Sequence, residues 1–149
     1  MPRKWMILAA VMVSASLLTI GISMADDEDS PLHKVMEQVN AKSLAITKGV
    51  RTAVAFKKAQ KDVAAAAEDL VKLAKEAKGL GQDHIKKAKE VPNAGAKWNE
   101  LMDSFASSAD HLAKVAAKPS TKQEDAKSAH TALKKVCTDC HTVFRIEEE

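Results

Sequence analysis

From residue 30 onward, apolar residues recur every three or four positions, the spacing of a helix face. No stretch alternates apolar and polar residues as a half-buried strand does. Ser30 reads as an N-cap with Pro31 at the first helical position, after which Leu32, Val35, Met36, Val39, Ser43, Ile46 and Val50 share a face. A second helix is predicted from about Ala53 to Ala77, with Val63, Ala66, Ala67, Leu70, Leu73, Ala74 and Ala77 inward. The stretch GLGQDHIKKAKEVPNAG has glycines and a proline near its ends and reads as a connection with room for a short helix. A third helix covers roughly Ala96 to Ala117, with Trp98, Leu101, Met102, Phe105, Ala109 and Leu112 on one stripe, until Lys118-Pro119-Ser120 breaks it. Ser120 or Thr121 then caps a fourth helix, with Glu124 completing a capping box. Its inward positions are Ala129, Leu133, Val136, Cys140 and Phe144. Four amphipathic helices on short connections predict an all-α, antiparallel, up-down-up-down four-helix bundle, with no internal repeat and no second domain.

Before residue 30 the pattern changes. Arg3 and Lys4 precede an uncharged stretch from Trp5 to Ala25 that ends Ser23-Met24-Ala25, the small-x-small ending of an export signal. Residues 1–25 are therefore expected to be a cleaved signal peptide and residues 26–149 the mature domain, although the apolar run approaches the roughly 20 residues of a membrane anchor. Losing Arg3 and Lys4 lowers the formal net charge from +3 to +1. With the lysines spread along the chain, this is no footprint for nucleic acid. The acidic end Glu147-Glu148-Glu149 reads as a solvated tail or a weak steering element for a basic partner. Beyond the signal the only tryptophan is Trp98, so the core must be built mainly of Ala, Leu and Val. An embedded prosthetic group would supply the missing apolar bulk.

The two cysteines fall together in KKVCTDCHTVFRIEEE, as Cys137 and Cys140 with His141 directly after. A redox dithiol of this spacing belongs beside a βαβ unit, and this chain has no strand pattern. A structural zinc site needs four ligands, and His33, His84, His111 and His130 are scattered singly. A disulfide this short would strain a helix and staple nothing. Haem attachment uses all three residues: two thiols add across the haem vinyl groups and the histidine ligates the iron. Export agrees with it.

The opposite face of the iron decides between electron transfer and gas binding. Met36 lies about six residues inside the first helix, or about 9 Å at 1.5 Å per residue, and His141 lies at a similar distance from the end of the fourth. In an up-down-up-down bundle these ends coincide, so the two are expected at matching depth. His33 is an alternative ligand on nearly the same face. Met102 lies on a helix diagonal to the first, where depth matches less simply, and Met36 itself also reads as a core methionine that merely fills space. Arg145 is one turn past His141, placed to pair with a haem propionate or to stabilise the helix end. His130, two turns before Cys137, either edges the haem or faces solvent.

CTDCHTVFR at the end of the fourth helix of an exported bundle resembles the class II c-type cytochromes, the cytochrome c′ family. In these the haem motif is C-terminal and followed by an aromatic and a basic residue, here Phe144 and Arg145. The resemblance implies a periplasmic protein with one covalently attached haem c, not an enzyme. LHKVMEQVN is similar to the early first-helix stretch that carries the sixth ligand in low-spin, methionine-ligated relatives. That implies Met36 opposite His141, and a one-electron carrier with redox protein partners. Five-coordinate members instead bind nitric oxide or carbon monoxide. The resemblance also implies homodimers formed through the first two helices.

Overall fold

The structure, a computed structural model, describes residues 30–145. The expected signal segment with its cleavage point and the Glu147–Glu149 tail lie outside the described residues. Five helices follow one another: α1 Pro31–Gly49, α2 Ala53–Leu80, a short α3 Gln82–Lys87, α4 Ala94–Ala117 and α5 Gln123–Phe144. The four long ones make the antiparallel bundle that the periodicity predicts, and α3 sits inside the connection between the second and third.

Local chemistry sets the boundaries. The Ser30 hydroxyl accepts the His33 N–H at 3.1 Å, with Pro31 at the first helical position, and the Thr52 hydroxyl accepts the Ala55 N–H at 3.1 Å to start α2. α2 runs past the predicted Ala77 to Leu80, where the Trp98 indole N–H donates to the Lys78 carbonyl at 3.1 Å and satisfies one of its last orphan acceptors. The predicted cap of the last helix needs correction. The Thr121 hydroxyl donates to Val115 O at the end of α4, so α5 begins two residues later, with the Lys122 N–H donating to the Asp125 carboxylate at 3.3 Å.

The core follows the predicted stripes. Ile46, Val63, Leu70, Leu112 and Leu133 are its largest fully enclosed side chains. Around them Ala67, Ala74, Ala77, Ala109 and Ala126 are wholly buried, and such small residues allow close helix approach. α2 packs along both α1 and α4, and α4 along α5. The α1/α5 seam is the exception. The two helices make only slight direct contact, and the Gln123 amide donating to Val50 O ties them at one end. Toward the other end, where α1 begins and α5 finishes, they stand apart.

Gly81 lies in the tight join between α2 and α3, directly beneath the indole of Trp98. An added Cβ would overlap that ring, and the indole is 3% exposed with little room to move. Gly81→Ala is expected to cost about 1–3 kcal/mol through overpacking, read as a lower midpoint in urea unfolding.

Candidate haem site

The open part of the α1/α5 seam is a cavity of about 790 Å³. Cofactor pockets occupy roughly 300–1,000 Å³, so the space suits a large prosthetic group. Three long helices wall it, and His84 of α3 borders it as well. α5 contributes Cys137, Cys140 and His141, which fall on one face because positions i, i+3 and i+4 of a helix are neighbours. Facing them, α1 contributes His33, Met36, Val39, Asn40 and Ser43. α4 supplies Trp98, Met102 and Phe105 from the core side.

Every residue singled out from the sequence as a ligand or attachment point borders this one space. Cys140 is buried, Cys137 and Met36 are half-buried, and His141 and Arg145 are exposed at the seam. Measured from the Val50–Gln123 contact at 1.5 Å per residue, Met36 lies about 21 Å and His141 about 27 Å toward the open end. They share one half of the bundle, offset by about one turn rather than level as expected. On the same scale His33 lies at about 26 Å, nearer the level of His141. Met102 also lines the cavity and is 3% exposed, so its diagonal helix does not remove it from the site.

Electrostatics separate the thiols from a reactive pair. Burial pushes the Cys137 thiol up, and burial with the neighbouring Cys137 pushes Cys140 up to about 11. Both stay protonated near neutral pH, the opposite of the thiolate a redox dithiol requires. Both are free cysteines. Among the described residues no group of three or more His, Cys, Asp or Glu side chains is arranged to hold a metal ion by itself. Burial lowers the His141 imidazole, and the nearby Arg145 guanidinium lowers it further, so it presents a neutral ring with a free lone pair. The Arg145 N–H caps α5 by donating to His141 O at 3.1 Å, and its side chain borders the cavity. Asp139, between the cysteines, is held outward by Lys135 at 2.8 Å.

Three features were not foreseen in the sequence. His84, which reads as an isolated residue in a connection, closes the open end. Its Nδ1 lies 3.2 Å from Phe144 O, and its ring stacks on Trp98 at 6.2 Å. Phe144 meets the same indole edge-on at 5.2 Å, so the connection, α4 and the end of α5 are locked together around the mouth. Asn40 and Ser43 put polar groups on the α1 wall. His130, expected at the haem edge or in solvent, is 4% exposed and does not border the cavity.

The donor set and the space fit a covalently attached haem: two protonated thiols one turn apart, a neutral imidazole beside them, and an apolar volume across the seam. No curated protein and no solved structure matches the chain. A protein-family model described as Cytochrome C′ matches residues 32–145, which takes in α1 from its second residue, the cavity lining apart from Ser30, and the cysteine motif. The chain belongs to the cytochrome c′ family, whose members carry covalently attached haem c.

Proposed function

We propose that this chain is an exported one-electron carrier of the periplasm. Cys137 and Cys140 form the thioether links, His141 is one axial ligand and Met36 the other. The observation that carries the reading is that Met36 and His141 border one cavity from facing helices, in the same half of the bundle.

Haem c supplies a one-electron iron couple. The chain's own residues tune it. A neutral His141 offers a nitrogen lone pair, and a thioether opposite it is a soft ligand that raises the reduction potential. Val39, Phe105 and Met102 exclude water from the space between. Arg145, which no carboxylate among the described residues engages, is free to pair with a propionate at the mouth. Its partners are then redox proteins, with the acidic C-terminal residues favouring a basic one. The outward surface of α1 and the start of α2 presents Leu44 and Val54, which are 51% and 69% exposed, as the face for the family's dimer.

A second reading has an observation of its own. The one-turn offset between Met36 and His141 also suits a five-coordinate iron that admits nitric oxide or carbon monoxide. Electron paramagnetic resonance of the ferric protein separates the two. A low-spin signal is expected for His/Met ligation, and a high-spin signal would move the function to gas binding.

A further inference from the structure

His130 is the only buried polar side chain among the described residues, and its Nε2 is buried with no hydrogen-bond partner. A buried unpaired nitrogen costs stability, so its retention calls for a reason. On α5 it precedes Cys137 by seven residues and His141 by eleven. At 3.6 residues per turn, these three lie within about 20° of one stripe, the one that faces the α1 seam. Gln123, seven residues earlier on that stripe, is the residue that reaches Val50 O. Ser43 lies seven residues before Val50 and His130 seven after Gln123, so both sit about 10 Å in from that tie. Ser43, with Asn40 one turn nearer the mouth, forms the polar inner end of the cavity. His130, which does not border the cavity, thus lies at about the level of the cavity's polar end, with an unused nitrogen.

We propose that His130 takes up a proton when the haem takes up an electron, so that the protein carries the two together. This rests on the electron-carrier reading. The balance is simple: one electron would arrive from a redox protein, and His130 Nε2 gains one proton from solvent. Both leave on reoxidation, and no bond between heavy atoms changes.

Few charges compete for the role. Burial opposes protonation of His130, and so does the charge of Lys134, one turn on along α5. On α1, Lys42 is turned onto Asp69 of α2 at 2.7 Å, and that aspartate also holds Lys72. On α4, Asp110 is paired with Lys114 at 2.6 Å. Seven residues of helix separate His130 from Cys137, about 10 Å. One unit of charge at that range, through an effective permittivity of roughly 25 to 80, changes a proton affinity about two- to tenfold. Burial holds the imidazole below its ordinary value, so the coupling falls on the acid side of pH 6.5.

The test is the midpoint potential of the purified holoprotein from pH 4.5 to 8, alongside NMR titration of the His130 ring in both oxidation states. A reversible haem couple at pH 8 establishes the carrier separately from the proton. Expected are a His130 titration displaced two- to tenfold toward higher pH in the reduced protein, and a potential that falls with rising pH below about 6.5. A tenfold displacement is a fall of about 59 mV. In His130→Gln that fall should disappear, while His111→Gln, which removes an exposed imidazole away from the cavity, should leave it. Identical His130 titrations in the two oxidation states would overturn the proposal, as would a slope that survives undiminished in His130→Gln. If the variant fails to fold, the NMR comparison on the natural chain decides alone.

Discussion

Replacing Cys137 and Cys140 together by serine is expected to abolish covalently held haem, taking the haem stain on a denaturing gel from full intensity to about zero. A thiol adds across a vinyl group and a hydroxyl at the same position does not. Both thiols sit on the cavity face of α5, Cys140 buried and Cys137 half-buried, and burial keeps them protonated. Each single variant should keep one link and leave one vinyl group conjugated with the macrocycle. The pyridine haemochrome band of a single variant therefore shifts to longer wavelength, while its denaturing gel still stains. The helices themselves should survive in the double variant, because Ile46, Val63, Leu70 and Leu112, among the largest fully enclosed side chains, lie away from the cavity. Stain retained by the double variant would remove these cysteines from the attachment chemistry.

Met36→Ala is expected to convert a low-spin haem spectrum to a high-spin one and to lower the reduction potential, since a thioether ligand raises it. Carbon monoxide should then bind at least about tenfold more tightly. A ligand that must displace a residue bound nine-tenths of the time loses that factor in apparent affinity. Met36 is only half-buried, so little of the effect passes through stability, and circular dichroism should stay helical. Met102→Ala is the matched control: it removes a fully buried methionine from the same cavity and should leave the spectrum low-spin. If Met102→Ala produced the high-spin form and Met36→Ala did not, the thioether would come from α4. If neither did, His33 on α1 would be the next residue to replace.

The helices and the attachment motif were legible in the sequence because each rests on short-range periodicity. Leu70, Leu73, Ala74 and Ala77 share a stripe by spacing alone, and all four are buried. Cys137, Cys140 and His141 share a face for the same reason. Depth across the bundle was not legible in this way. Spacing gives a residue's angle on its own helix, whereas the level of Met36 against His141 depends on where α1 and α5 are tied. That point is the Gln123–Val50 contact, between residues 73 positions apart. The start of α5 was misjudged because Thr121 donates to the end of α4 instead of capping the helix after it. His84 could not be placed from its neighbours, since its role arises from how the α2–α4 connection folds over Phe144 and Trp98. His130 breaks the usual rule that an unpaired polar group stays at the surface. Nothing in its local spacing distinguishes it from a solvated position.

The ligation of the iron tests the account most directly, and one pair of spectra reads it. The visible spectrum of the dithionite-reduced protein is recorded before and immediately after carbon monoxide is added. His141/Met36 ligation predicts a sharp low-spin ferrous spectrum that carbon monoxide changes only slowly or incompletely. A broad high-spin ferrous spectrum that shifts at once on adding carbon monoxide would contradict it and leave the second axial position open.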